Sequence, residues 1–154
     1  ATTLWERWDC FVEGRGFSSP TMTSFNHFAL GSVSEWICKT IVGLQPDPSA
    51  PGWKRFFVKP LPELDLTWVH FTYSSVYGDI VVKWKIEEGL FTLDLTVPCG
   101  TGAQVHIPSL PGTAVTENSQ RLEQDSLDGL ISRTDKTAVL QVTSGQYQWV
   151  SRIT

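Results

Sequence analysis

No apolar run in this sequence approaches the roughly 20 residues a helix needs to cross a bilayer, so no membrane partner is expected. A basic excess is also missing: 12 Lys+Arg stand against 16 Asp+Glu, a net charge of −4. Nucleic-acid binders draw most of their affinity from neutralising phosphates, so no nucleic-acid partner is expected either. Cysteine is sparse at three residues, and Cys10, Cys38 and Cys99 form neither a CxxC metal pair nor a disulfide framework. They read as small buried apolar residues. Asn-x-Ser/Thr sequons are absent, because Asn26 precedes His27-Phe28 and Asn118 precedes Ser119-Gln120; nothing supports a glycosylated surface. No basic segment leads into an apolar stretch at the start, so no signal peptide is visible. The sequence opens on Ala1 and reaches chemistry-rich residues at once. It reads as a piece of a longer chain whose natural start lies upstream, which leaves the compartment open.

Several catalytic signatures are lacking as well. There is no GxGxxG, P-loop, G-x-S-x-G elbow or HExxH. His70 and His106 sit in strand patterns without acids or cysteines at metal spacing, and read as structural or exposed. No metal and no cofactor is expected.

What remains is an ordinary core-forming composition, 41% apolar and 18% charged over 154 residues. That argues against disorder and for one domain, or a small domain with an appended piece. The chain changes character once. Phe25, Ala29, Val33, Trp36, Ile37 and Ile41 recur at helical spacing, which predicts a helix over Phe25–Val42. Ser24 is placed to cap its start and Gly43 to end it. Gln45 to Gly52, with three prolines, forbids continuation.

Beyond Trp53 the period becomes two. Ile80, Val82, Trp84 and Ile86 alternate with Val81, Lys83 and Lys85, and the runs Phe91 to Val97 and Ala103 to Ile107 alternate likewise with Thr92, Asp94, Thr96, Gln104 and His106, each predicting a half-buried strand. Glu87-Glu88-Gly89 reads as a hairpin turn. Further strands are expected near Lys54–Val58, Thr67–Tyr73, Ala138–Thr143 and Gln146–Ser151, with Ser144-Gly145 linking the last two. Thr113–Thr134 reads as a polar excursion. About seven short strands with turns between them predict an antiparallel sandwich. The helix cannot close a core alone: Phe25, Phe28, Trp36 and Ile37 must pack on the sandwich or on a helical domain outside this sequence.

Two clusters could carry chemistry. In Trp5-Glu6-Arg7-Trp8-Asp9 a carboxylate stands between two indoles. Indole faces stack on the apolar face of a pyranose while a carboxylate acts at the anomeric centre or its water. The competing reading is a loop acid beside core aromatics. The second cluster, Ser24-Phe25-Asn26-His27, sits at the helix start, where side chains and free N–H groups converge. An imidazole there can bond a sugar hydroxyl, or His27 and Asn26 can simply satisfy local backbone.

Taken together, Thr2 to Asp9 and Met22-Thr23-Ser24-Phe25-Asn26-His27-Phe28-Ala29-Leu30-Gly31 resemble the end of the α-L-rhamnosidases of glycoside hydrolase family 78. The likeness continues through Gly43-Leu44-Gln45-Pro46-Asp47, Ala50-Pro51-Gly52-Trp53, Val58-Lys59-Pro60, Leu66-Thr67-Trp68, Tyr77-Gly78, Trp84 to Glu87, and Ser144-Gly145-Gln146-Tyr147, which looks like that family's last hairpin. It is weakest over Thr113–Thr134.

The resemblance implies a mainly β chain: the last loop and helix of an (α/α)6 barrel over 1–43, followed by a C-terminal antiparallel β-sandwich over 44–154. It implies hydrolysis of terminal α-L-rhamnose from a rhamnose-containing glycoside with inversion. Glu6 matches the general base, and His27 a residue lining the sugar pocket. Trp5, Trp8 and Asn26 would shape that pocket or hold Glu6. An ionised base belongs near donors such as Arg7 or His27. The partner acid would lie upstream, in the remainder of the parent catalytic domain, so the isolated chain is expected to be inactive. The alternative is a non-catalytic carbohydrate-binding or barrel-supporting β-sandwich, with Trp53, Trp68, Tyr73, Tyr77 and Trp84 as a sugar platform. The in-step alternation of Trp84 assigns that residue to the core instead.

Overall fold

The computed structural model describes residues 3–19, 24–62, 65–122 and 130–154. Met22 and Thr23 of the second motif, Thr2 of the first, and 123–129 of the polar excursion lie outside the described residues. The chain divides into two compact units, Ala1–Ile37 and Cys38–Thr154.

The first unit is organised by aromatic rings. Strands β1 (Phe11–Val12) and β2 (Gly16–Phe17) form a two-stranded antiparallel ribbon. Phe11 meets Phe17 edge-on at 5.3 Å, Phe17 meets Phe25 at 5.5 Å, and Phe25 meets Trp5 at 4.9 Å. Such pairs are worth about 0.5–1.5 kcal/mol each beyond the area they bury. The file of rings ties the ribbon to the segments before and after it. Those segments are also laced through the backbone: the His27 N–H donates to the Leu4 carbonyl at 2.8 Å, and the Glu6 N–H to the Ser24 carbonyl at 2.9 Å.

The single helix expected over Phe25–Val42 begins later and is interrupted. It comprises α1 (Phe28–Gly31), α2 (Val33–Trp36) and a π-helical turn, Ile37–Val42. His27, rather than Ser24, is the N-cap residue, in extended conformation (φ −86°, ψ 109°). Its N–H is already committed to Leu4, and the Ser24 hydroxyl accepts from the Asn26 N–H at 3.3 Å instead. Between the two short helices the Ser32 hydroxyl bonds back to the Ala29 carbonyl at 2.6 Å, a local competition that bends helices. The apolar side stays uncovered: Phe28 is 84% exposed, Val33 52% and Trp36 50%.

Among the described residues the second unit forms a nine-stranded sheet. Strands β3 (Leu44–Pro46), β4 (Arg55–Val58), β5 (Trp68–Ser75) and β6 (Gly78–Glu87) lead into β7 (Leu90–Pro108). β6 and β7 form the expected hairpin: Glu87 pairs with Leu90 across Glu88 (φ +50°) and Gly89 (φ +76°). Two successive positive φ angles are the signature of a type I′ turn. Then come β8 (Val115–Glu117), β9 (Gln120–Arg121), β10 (Leu130–Arg133) and β11 (Thr137–Arg152).

β7 and β11 correct the reading of four separate strands. They run antiparallel along their whole length and bend at one level, where residues 98–101 of β7 stand opposite Ser144 alone. Ser144-Gly145 is therefore an irregularity within one strand and not a link between two. Gly100 (φ +74°) and a Thr101 hydroxyl bonded to the Pro98 carbonyl at 2.7 Å hold the bend on the β7 side. The bend divides the sheet into a part carrying β5, β6, β8 and β9 and a part carrying β3, β4 and β10.

Both parts feed one apolar cluster. Ile80, Trp84, Phe91 and Leu95 come from one, and Phe56, Val58, Val105 and Leu140 from the other. Trp84 is 2% exposed, as its alternation predicts. The mainly β fold class holds, with one departure: β4 pairs with β7 in parallel. The three cysteines are unpaired thiols, Cys10 buried, Cys38 half-buried and Cys99 exposed. Cys99 departs from the expected burial because it rides on the bend, where the in-and-out alternation of β7 is broken. Among the described residues no helix is long and apolar enough to cross a membrane.

Candidate active site

The structure brings Trp5, Glu6 and Trp8 to one place. With Thr3, Leu4, Arg7 and Leu30 they line a concavity of about 630 Å³ in the first unit. Glu6 is half-buried. Its Oε2 accepts the Ser24 N–H at 3.0 Å, while its own N–H donates to the Ser24 carbonyl. Residues 6 and 24 are thus joined twice, which fixes the carboxylate through backbone and not through a flexible cation. A carboxylate has about four lone-pair sites, so with this one partner among the described residues most of its accepting capacity stays open to a water or a hydroxyl.

Arg7 does not serve Glu6. Its guanidinium is bidentate on Asp9, Nε at 3.1 Å and Nη2 at 3.0 Å, and Arg15 reaches the same carboxylate at 3.6 Å. Both pairs are about half exposed, which limits each to roughly 1 kcal/mol. The competition is geometric: a residue two positions away wins a planar, two-bond partner.

The other site residues lie on the facing segment. His27 is half-buried with its ring 5.8 Å from that of Phe28, and its backbone N–H holds Leu4. Asn26 is exposed. Trp5 is held edge-on by Phe25, whereas the Trp8 indole is fully open to solvent. Sequence reasoning found the carboxylate and its indoles but missed Ser24 as the group that holds Glu6. The one available signal was Ser24's neighbourhood with Asn26 and His27.

The aromatic platform of the alternative reading does not assemble. Trp84 is in the core, Trp53 packs on Tyr73 with ring centroids 4.3 Å apart, and Tyr77 lies beneath the Lys54 ammonium at 5.4 Å. Trp68 stands apart at the start of β5, 67% exposed. Among the described residues no three of His, Cys, Asp and Glu converge as a metal site.

Residues 43–122 match the family model of the bacterial α-L-rhamnosidase C-terminal domain. The chain belongs to that family. Residues 1–41 match the six-hairpin glycosidase domain of bacterial α-L-rhamnosidases. An α-L-rhamnosidase of Streptomyces avermitilis is 34% identical over 149 residues, covering 97% of this chain and 14% of the relative. A crystal structure of an α-L-rhamnosidase from that organism, complexed with L-rhamnose, superposes with TM-score 0.75 at 33% identity, over 97% of this chain and 14% of that one. The α-L-rhamnosidase structure from Dictyoglumus thermophilum gives TM-score 0.76 at 29% identity, over 99% of this chain and 16% of that one. The chain thus spans about 14% of the length of the rhamnosidase relatives it matches. In this α-L-rhamnosidase C-terminal region the two family matches meet at the π-helical turn and Gly43.

Proposed function

We propose that this chain is the C-terminal part of an inverting α-L-rhamnosidase and supplies its general base, Glu6. The carrying observation is the Glu6 carboxylate, tied to the Ser24 backbone and lining one concavity with Trp5 and Trp8. In the reaction, a water on one face of the sugar gives a proton to Glu6 as its oxygen bonds to the anomeric carbon. The bond from that carbon to the leaving oxygen breaks, and an acid upstream of this sequence protonates the leaving group. Inversion requires the two carboxyl groups to stand about 6.5–9.5 Å apart, so that the water fits between base and sugar. Trp5 and Trp8 offer stacking faces for the rhamnose ring, and Asn26 and His27 offer polar contacts to its hydroxyls.

In this reading residues 1–43 close an (α/α)6 barrel and 44–154 form the sandwich that buttresses it. The uncovered side of the helix supports the first half: Phe28, Val33 and Trp36 have the apolar surface expected of a helix that packs against the remainder of the parent catalytic domain. The chain alone then carries half a catalytic pair without the pocket walls, and cooperating groups lose orders of magnitude when separated. The test uses an aryl α-L-rhamnoside. The isolated chain should give no turnover, and the full-length parent should release β-L-rhamnose first, read by proton NMR. Robust turnover by the isolated chain, or release of the α-anomer first, overturns the reading.

A further inference from the structure

The second unit carries an outer surface that its core does not use. Alternation along β6, β7 and β11 sends Ile80, Val82, Trp84, Leu93, Leu95 and Trp149 into the core. The residues between them project the other way. Register aligns them in cross-strand rows, Lys83–Asp94–Gln148 and Val81–Thr96–Gln146. Together with Asn118, whose N–H holds the Gln148 carbonyl at 3.1 Å, they line a shallow concavity of about 490 Å³. β5 extends the same face, with His70 opposite Lys83 and Trp68 opposite Lys85.

The chemistry of this face is specific. Gln148 donates its amide to Asp94 at 2.8 Å, an orientation that leaves the amide oxygen and the second carboxylate oxygen as acceptors. Among the described residues, the side chains of Lys83, Thr96, Gln146 and Asn118 make no hydrogen bond or ion pair. The concavity therefore presents donors and acceptors in alternation, with one positive and one negative charge. That balance gives no purchase to a polyanion such as nucleic acid. Val81 is the single apolar side chain in the two rows, and of the other lining residues Leu95 is buried and Tyr147 half-buried, too little open apolar surface for an amphipathic helix. Trp68, two strands across and two residues along from Asp94, or roughly 12 Å away, adds an exposed indole on the same side. Amides, a hydroxyl and a carboxylate suit the edge of one hydroxyl-rich ring, and the open indole, too far to stack on that same ring, suits the face of another ring along the chain.

We propose that this outer face, centred on Asp94, Gln146 and Gln148, binds a neutral oligosaccharide. The site is separate from Glu6 and does not require Glu6 to be the base. It would hold a glycan by chain contacts while cleavage occurs elsewhere. The test uses the 154-residue chain labelled with ¹⁵N, titrated with cellohexaose, with a neutral rhamnose-containing oligosaccharide, and with polygalacturonate as a charged control. The expected result is saturable amide shifts on β6, β7 and β11 with one of the two neutral sugars. Gln146→Ala/Gln148→Ala and Trp68→Ala should each weaken that binding at least about tenfold, equivalent to 1.4 kcal/mol. These side chains face outward, so the amide spectrum should otherwise be unchanged. Asp94→Asn, which keeps an acceptor for Gln148, should weaken binding less than Asp94→Ala. Shifts confined to the Glu6 concavity, binding of polygalacturonate alone, binding indifferent to these substitutions, or no binding at millimolar sugar would each overturn the proposal.

Discussion

Gly43 and Gly52 allow the cost of a single methyl group to be worked out in two surroundings. Both have nearly the same left-handed backbone, φ +79° and +77°. At Gly52 an added Cβ would meet nothing within 4 Å, whereas at Gly43 it would lie 2.1 Å from the Lys59 carbonyl carbon and 2.4 Å from the Pro60 nitrogen. Those are backbone atoms, and they cannot swing aside, because the Lys59 N–H is bonded to the Gly43 carbonyl at 2.8 Å. Gly52→Ala therefore costs the left-handed strain alone, about 1–2 kcal/mol. Gly43→Ala adds an overpacking term of about 1–3 kcal/mol or more and pulls apart the β3–β4 pairing. The total is about 2–5 kcal/mol or more. At roughly 2–4 °C per kcal/mol for a chain of this size, Tm should fall by about 2–8 °C for Gly52→Ala and by about 4–20 °C or more for Gly43→Ala. Urea unfolding followed by near-ultraviolet circular dichroism of the buried indoles measures both. Equal losses in the two variants would refute the reasoning.

Other expectations follow from the core and from two titrating groups. Trp149 donates its Nε1 to Glu117 at 2.8 Å, while the Nε1 of equally buried Trp84 has no partner among the described residues. Trp149→Phe should therefore destabilise more than Trp84→Phe, by about 1–2 kcal/mol in urea; the reverse order would contradict the bonding. Burial, then the Lys59 charge, pushes the His106 imidazole below its ordinary 6.5. The unfolded chain then binds that proton more readily, so stability is full above 6.5 and falls as pH drops through 6.5 toward the folded value. His106→Gln should flatten that limb of the stability curve, and an NMR titration midpoint above 6.5 would refute it. The Ser49 hydroxyl and N–H, and more weakly Arg55, hold the Asp47 carboxyl below its ordinary 3.8. Its contribution is present above 3.8 and lost as pH falls through the lower folded value. The gap between wild type and Asp47→Ala should close on acidification, and a gap that widens would show the sign to be wrong.

The local patterns of the chain were readable, and its long-range pairings were not. Period-two alternation found β6 and the first half of β7, and Glu88-Gly89 marked their turn. The same reading left β7 split between Val97 and Ala103 and β11 split at Ser144-Gly145. A sheet that bends needs the same left-handed glycine and broken alternation that a turn needs. Helical spacing likewise found the helix, but no local signal says that Leu4 captures the His27 N–H and delays its start. At the candidate site, the carboxylate between two indoles stood out because its chemistry is local. Its anchor, Ser24, lies eighteen positions along the chain. Arg7 looked like the natural partner of Glu6 until Asp9 offered it two bonds at once.

The most direct measurement is of Glu6 itself. Glu6→Gln in the full-length parent keeps an oxygen for the Ser24 N–H but cannot take a proton from water. With an aryl α-L-rhamnoside, kcat should fall by about 10²–10⁴, the usual share of a general base, while KM and rhamnose affinity stay within a few-fold. A kcat close to that of the unaltered enzyme would show that some other group activates the water.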